Sequence, residues 1–491
     1  MKGIVVLKGV ALLFWVLSFG TFDAHAQKGP NIVVIVSDDM GYADIGVHGS
    51  RDIPTPNIDA LALSGTRFTD AYVSGPYCSP TRAGLMTGRY PQRFGYEFNL
   101  DHPPEHLGLG LPLHQKTIAD YFKAAGYRTA IFGKWHLGFG DAYHPMSRGF
   151  DEFFGFLGAD HSYTETGSSG VNPLMEGKKI VTESTYLTDA VADHAVDFIR
   201  RWKSQPFFLY IAFNAVHTPM QAPDKYLDRF TQIQDPQRRT YAAMLSAMDD
   251  AIGRTLAELT AQRLDGNTLV IFFNDNGGPT MRGTTINGSS NRPLRGSKRQ
   301  TYEGGIRVAF FIRWEGHLPN GKTNSRPIIQ LDVLPTALYA AGAKLPPQAN
   351  VDGVNLFPYL TGEKKGPPHD TLYWRLGQNM AIRKGDWKLV KTGEAPLQDL
   401  ETYVPYDLSG AELYNLATDI GEKTNLAARF PEKVKELSDA WQQWNHKLSK
   451  PRWSSNGRSP LSIDDRQAQM VDVYLSAASA LSSVRSRSKM K

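Results

Sequence analysis

Five short runs of uninterrupted apolar residues limit the fold of this chain more than any other feature. They are Ile32–Val36 (IVVIV), Thr129–Phe132 (TAIF), Phe207–Phe213 (FFLYIAF), Leu269–Phe273 (LVIFF) and Val308–Ile312 (VAFFI). A strand with one wet face alternates polar and apolar residues. A strand covered on both faces does not, so continuous runs of this length predict the interior of a mainly parallel sheet with helices on both sides. Helical spacing fills the intervals. Thr117–Ala125 places Ile118, Tyr121, Phe122 and Ala125 on one face, with Gly126 as a stop. Tyr186–Trp202 repeats Leu187, Val191, Ala195, Phe198 and Trp202, and Tyr241–Leu264 reads as a long amphipathic helix. Strands alternating with helices predict an α/β domain over residues 27–365. The pattern then changes. Thr371–Arg375, Met380–Arg383 and Trp387–Lys391 read as short meander strands, followed by a helix over Pro431–Leu448. This predicts a small α+β subdomain with an antiparallel sheet over residues 366–453, and a Ser- and Arg-rich tail over 454–491.

The first 26 residues read as a leader rather than as part of the fold. Lys2 and Lys8 flank the start of an apolar run, Gly9–Phe19, and Ala24-His25-Ala26 gives a small-x-small cleavage pattern. This is the pattern of a secretory signal peptide cut before Gln27, which predicts an exported, periplasmic or extracellular protein. No later run reaches the roughly 18 apolar residues of a membrane-spanning helix. Cys78 is the only cysteine. An intrachain disulfide and a cysteine-based zinc cluster are therefore excluded, and any metal site must use oxygen or imidazole ligands. A lone thiol is odd in an oxidising compartment. The 54 Lys and Arg exceed the 49 Asp and Glu by only five, spread along the chain. That balance does not suggest nucleic acid, but it suits an anionic substrate.

Ligands in open α/β sheets bind beyond the carboxyl ends of the strands, so the residues just after each apolar run are informative. Asp38 and Asp39 follow the first, Lys134 and His136 the second, His217 the third, and Asp275 and Asn276 the fourth. Any one acid there could be a helix cap. Four strand ends with such residues predict a site. Asp38, Asp39, Asp275 and Asn276 form an all-oxygen set suited to a hard cation, and calcium is favoured because it tolerates irregular geometry and several carboxylates. Cys78-Ser79-Pro80-Thr81-Arg82 opens a further segment ending at Gly88. Pro80 fits the first turn of a helix and Gly88 its end, which puts Cys78 at a helix N-terminus and Arg82 one turn along on the same side.

With these residues the chain resembles the type I, formylglycine-dependent sulfatases of the alkaline phosphatase superfamily. Cys78-Ser79-Pro80-Thr81-Arg82, continued to Gly88-Arg89, fits the family's C-x-P-x-R motif. Residues Gly126-Tyr127-Arg128-Thr129-Ala130-Ile131-Phe132-Gly133-Lys134-Trp135-His136-Leu137-Gly138 fit its second signature. Asp38-Asp39, Asn274-Asp275-Asn276-Gly277-Gly278, His217-Thr218-Pro219, and Lys298 before Tyr302-Glu303-Gly304-Gly305 complete the set. The resemblance spans about residues 30–450. It implies an alkaline-phosphatase-like fold and one calcium ion held by Asp38, Asp39, Asp275, Asn276 and residue 78.

The resemblance also implies that a formylglycine-generating, sulfatase-maturating enzyme oxidises Cys78 to the aldehyde formylglycine (3-oxoalanine). One hydroxyl of the hydrated aldehyde, acidified beside the cation, would attack the sulfur of a sulfate ester. The metal, Lys134 and Lys298 would meet the sulfuryl charge, and Arg82 would hold the hydrate and the metal-side oxygens. His217 with Lys298 would protonate the leaving alcohol, and His136 would take the proton of the second hydroxyl as sulfate is expelled. The implied substrate is a sulfated oligo- or polysaccharide. Algal carrageenan or ulvan comes first and a glycosaminoglycan second, with His102, His106, His161 and Tyr163 as candidate pocket residues. A phosphonate or phosphodiester hydrolase with the same motif is the main alternative, and a non-catalytic binder of sulfated glycans the last.

Overall fold

The computed structural model describes residues 29–100, 108–164, 172–392 and 406–453. The leader, His102, His106 and the tail after residue 453 lie outside the described residues. The apolar runs form strands: β1 (Asn31–Ser37), β2 (Arg128–Lys134), β3 (Phe207–Ala212), β4 (Thr268–Asn274) and β5 (Phe310–Arg313). They lie in a ten-stranded sheet in which β5, β4, β1, β3 and β2 are consecutive neighbours, with the Glu152–Phe156 strand next to β2. From β4 to Glu152–Phe156 all pairings are parallel. The fifth run departs from the parallel expectation: β5 runs antiparallel to β4 and to Thr66–Phe68. The sheet is therefore mixed toward this edge.

Both faces are covered, which explains the lack of alternation. Ile32, Val34 and Val36 of β1 point into one buried cluster, and Val33 and Ile35 into the other. The first cluster also contains residues of α1 (Cys78–Thr87) and α2 (Ile118–Ala124). The second contains residues of α3 (Leu187–Trp202) and α4 (Pro236–Ala261). Each such side chain removed from water contributes on the order of 1.5–3 kcal/mol. The helix boundaries follow local chemistry. Thr117 and Asp120 form a reciprocal capping box at the start of α2, and Asp235 accepts from the backbone of Gln237 and Arg238 at the start of α4. Gly133 has φ +111°, and a Cβ there would stand 2.0 Å from the Ala212 carbonyl. Only glycine lets β2 lie this close to β3 just before Lys134.

After residue 370 a four-stranded antiparallel sheet is built from β6 (Thr371–Leu376), β7 (Asn379–Lys384), β8 (Trp387–Lys391) and β9 (Glu412–Asn415). Helix α5 (Pro431–Asn445) packs on it through Leu437, Trp441 and Trp444. The first three strands and the helix match the sequence reading, whereas β9, four residues long, carried no readable pattern. This sheet shares its core with the main domain: Tyr72, Ile306, Ile329 and Leu331 lie in the same cluster as Trp374 and Leu389. The Trp374 indole N–H donates to the Val73 carbonyl at 2.7 Å.

Candidate active site

The four strands whose ends carry polar residues are adjacent in the order β4, β1, β3, β2, so those residues converge at one edge. One oxygen or sulfur atom each from Asp38, Asp39, Asp275 and Cys78 lies within 4.8 Å of the others, all four residues being buried. Cys78 is the first residue of α1, and Gly88 ends that helix in a left-handed conformation at φ 65°. Both ends fall where the sequence placed them. The thiol lies 3.6 Å from Asp38 Oδ1. Burial, and then the Asp38 carboxylate, push the thiol well above its ordinary range. An ordinary thiolate nucleophile is therefore disfavoured at this position.

Three cations surround the three crowded acids. Arg82 Nη2 contacts Asp38 Oδ2 at 3.2 Å and Asp275 Oδ2 at 2.8 Å, with Nε 3.1 Å from Asp275 Oδ2. Lys134 Nζ is 2.5 Å from Asp38 Oδ2, and Lys298 Nζ is 2.7 Å from Asp39 Oδ2. Burial alone would raise Asp38, but Lys134, His217 and Arg82 hold it well below the usual carboxylate range. Asp275 behaves oppositely: burial, and then the charge of Asp38, push it up to about 7. Burial works against the charge on Lys298, yet Asp39 keeps its ammonium well above the ordinary value.

Two buried polar atoms here have no partner among the described residues. One is Asn276 Oδ1, whose amide nitrogen donates to Asp39 Oδ1 at 2.7 Å. An unspent amide oxygen beside three crowded carboxylates concentrates acceptor oxygens at one point, an arrangement that a divalent cation satisfies. The residues present therefore fit a hard cation. The other is His136 Nδ1. His136 Nε2 is 2.9 Å from the Leu100 carbonyl, which can only accept, so Nε2 carries the hydrogen and Nδ1 keeps a lone pair. Burial, and then Lys134, lower this histidine well below its ordinary value and keep it neutral.

Two of these side chains hang from strained backbone. Asp39 has φ 59° and His136 φ 58°, the left-handed region that residues with a Cβ avoid at a cost of about 1–2 kcal/mol each. Neighbours over-determine both. Asn287 Nδ2 donates to the Asp39 carbonyl at 3.0 Å and to that of Val216 at 2.9 Å, tying the ends of β1 and β3. Ser79 Oγ, next to Cys78, donates to the His136 carbonyl at 2.7 Å. His217 Nδ1 lies 2.7 Å from the Thr218 carbonyl and Nε2 3.5 Å from Asp39 Oδ2. Burial, then Lys298, lower its pKa.

All ten principal sequence candidates thus meet in one cluster. The weaker pocket candidates fare differently. Tyr163 is fully buried and donates to the carbonyls of Asn214 and His217, so it braces the His217 loop and does not line a pocket. The two buried carbonyls it satisfies explain why its hydroxyl is turned into the core. His161 is 5% exposed, tilted against Phe156 with Nδ1 2.7 Å from the Ser162 carbonyl, and no bond joins it to the cluster. Sequence reading missed Asn287, Asn274, Thr285 and Tyr210. Asn274 ties the Met40 backbone through both amide atoms, Thr285 Oγ1 lies 3.3 Å from Asp39 Oδ2, and the Tyr210 hydroxyl is 3.4 Å from Arg82 Nη1. Asn274 stood beside Asp275 in a quoted motif and could have been flagged. The other three carry no local signal.

Comparison with known proteins follows the same lines. The Sulfatase family profile matches residues 30–343. The chain is 31% identical over 462 residues to N-acetylgalactosamine-6-sulfatase of Homo sapiens, covering 86% of this chain and 87% of that protein. It is 33% identical over 458 residues to arylsulfatase A of Bos taurus, covering 85% and 87%. Among solved structures, Ps i-CgsB in complex with k-i-k-neocarrahexaose is 36% identical, superimposes with a TM-score of 0.79, and covers 91% of this chain and 98% of that one.

Proposed function

The chain belongs to the sulfatase family of the alkaline phosphatase superfamily, and on that premise we propose that it removes O-sulfate from sulfated algal carbohydrate, with carrageenan or its oligosaccharides as substrate. The observation that carries this reading is the convergence of Cys78, Asp38, Asp39 and Asp275 beneath Arg82, Lys134 and Lys298. Support for a carbohydrate comes from the relatives named N-acetylgalactosamine-6-sulfatase, and support for carrageenan from the relative crystallised with neocarrahexaose.

Asp38, Asp39, Asp275 and Asn276 would hold a calcium ion, which supplies positive charge for the sulfuryl oxygens and acidifies a neighbouring hydroxyl. Formylglycine at position 78, which a maturating enzyme would make, would supply as its hydrate one hydroxyl as the nucleophile and a second for the release of sulfate. The remaining roles fall to the chain's own side chains. Arg82 orients residue 78 from one turn along α1 and ties Asp38 to Asp275. Lys134 and Lys298, buried and held charged by their carboxylates, face the charge that grows on the sulfuryl oxygens. His217, with Lys298 beside it, donates the proton to the departing alcohol; the negative charge of a bound sulfate ester favours its protonated form. His136 Nδ1, with its lone pair free, accepts the proton of the second hydroxyl. The leader sequence supports export, with Cys78 oxidised before the chain folds around it.

The test is sulfate release by the matured full chain from defined carrageenan, ulvan and glycosaminoglycan oligosaccharides, run beside an aryl phosphate diester. Release is expected from carrageenan above the others. Faster cleavage of the phosphate diester would overturn the assignment. Mass spectrometry of the Cys78 peptide is expected to show the aldehyde, and an unmodified thiol in active enzyme would refute it.

A further inference from the structure

We infer that a cleft at the far end of α1 is a second binding site for sulfated carbohydrate, separate from the reaction centre. The cleft has a volume of about 890 Å3, and its wall includes Arg89, His114, Gln115, Lys116, Tyr121 and Lys344. Cys78 and Thr87 are the two ends of α1, which at the rise of an α-helix stand about 14 Å apart. A sulfate ester bound at residue 78 therefore does not fill this cleft, whereas a longer polymer could occupy both.

The lining has the chemistry that a sulfated sugar requires. Arg89 is half-buried, just beyond the end of α1. Its Nη1 donates to Gln115 Oε1 at 3.0 Å, and its buried Nε has no partner among the described residues. Gln115 thus fixes the guanidinium on the wall, and guanidinium edges match the oxygens of a sulfate. Lys116 and Lys344 are exposed and form no ion pair among the described residues. The carboxylate on the wall, Asp120, is already engaged: Oδ2 accepts from the Thr117 backbone at 2.8 Å and from its hydroxyl at 3.2 Å. With Arg89, Lys116 and Lys344 against this one carboxylate, the cleft keeps an excess of positive charge. The half-buried ring of Tyr121 adds an apolar surface of the kind that sugar C–H faces cover. Cations with one aromatic wall suit a sulfated glycan better than a bare anion, which has no use for the ring.

This inference rests on the proposed function only in taking the polymer to be sulfated carbohydrate, and the two are tested by different readouts. Migration of the full chain carrying Cys78→Ala is measured in gels containing carrageenan, desulfated carrageenan or inorganic sulfate. The same is done with Lys116→Glu and Lys344→Glu added. The expected result is about tenfold weaker retention by carrageenan on reversing the two rim charges, and no retention by the desulfated polymer. In matured enzyme with Cys78 intact, the two lysine changes are expected to leave turnover of a small aryl sulfate unchanged. Unaltered retention in the charge-reversed chain would overturn the cleft. So would inorganic sulfate at millimolar concentration abolishing the difference between the two chains, which would mark a site for the free anion. Aryl sulfate turnover reads the proposed function and carrageenan retention reads the cleft, so failure of either is distinguishable.

Discussion

The molecule buries two clusters of three acids and three bases, and they are arranged differently. At the strand ends, Asp38, Asp39 and Asp275 meet Arg82, Lys134 and Lys298. Between the main sheet and the C-terminal sheet, Asp70, Glu303 and Glu422 meet Arg307, Arg383 and Lys388. In the second cluster acids and bases alternate. Lys388 sits 2.8 Å from both Glu303 and Glu422, and Arg307 bridges Glu303 at 3.1 Å to Asp70 at 2.9 Å. In the first, the acids crowd together with a thiol and an unspent amide oxygen, and no comparable group of acids, thiols or histidines occurs elsewhere among the described residues. Equal charge counts thus produce different devices. Alternation gives a closed lock between two sheets, and convergence gives a set of acceptors that calls for a cation.

The largest expected effect breaks the first cluster at its nucleophile. Cys78→Ala should lower turnover by at least about 10⁵-fold in sulfate-release assays while leaving the thermal midpoint close to that of the unmodified chain, because a buried methyl replaces a buried thiol there. Cys78→Ser should stop after one turnover as a sulfated protein detectable by intact mass, unless the host also oxidises serine, because it lacks the second hydroxyl.

The next effect separates crowding from locking. Asp275→Asn should reduce kcat/KM by about 10³-fold, within the range seen when a key electrostatic group is removed. Without calcium its thermal midpoint should equal or exceed that of the parent, because Asp275 is the acid that burial and Asp38 push up to about 7. Calcium should raise the midpoint of the parent and not of the variant, measured by scanning calorimetry.

Lys388→Met should do the reverse. It leaves two buried carboxylates without their shared cation and should cost about 3–5 kcal/mol in denaturant unfolding. Activity per folded molecule should stay within about threefold at temperatures well below the midpoint, since Lys388 touches none of the strand-end residues.

The smallest effect concerns pH. Burial raises Glu422 from an ordinary 4.5 to about 7. The folded chain therefore binds this proton more tightly than the unfolded chain, and the Glu422 contribution to stability falls as pH rises through that window. Burial also opposes the charge on Glu303, but Lys388 and Arg307 hold it at about 2, so its contribution is lost in a separate window, as pH falls from 4.5 toward 2. Glu422→Gln should flatten the decline between pH 4.5 and 7 by a few degrees of midpoint, followed by thermal melts across that range.

Much of the first cluster could be read from the sequence, and almost none of the second. Asp38, Asp39, Lys134, His136, His217, Asp275 and Asn276 each follow an apolar run, so the strands that betray the fold also announce the residues at their ends. Cys78 and Arg82 share one turn of a helix whose Pro80 and Gly88 mark its limits. By contrast, Lys388 lies inside a strand of alternating charge, Glu422 in a turn, and Glu303 in a glycine-rich segment. Tertiary packing brings Glu303 and Glu422 each to 2.8 Å from Lys388, and no local periodicity encodes that. The antiparallel direction of β5 was hidden for a similar reason, because a strand buried on both faces shows the same apolar run in either direction. Tyr163, a candidate pocket residue from the sequence, is instead fixed in the core by two carbonyls of the His217 loop.

The most direct test of the contrast is calorimetric titration of calcium into the folded full chain and its two cluster variants. One calcium per chain is expected for the parent and for Lys388→Met, and none for Asp275→Asn. Undiminished binding by Asp275→Asn, or no binding by the parent, would contradict the assignment of the converging acids to a cation.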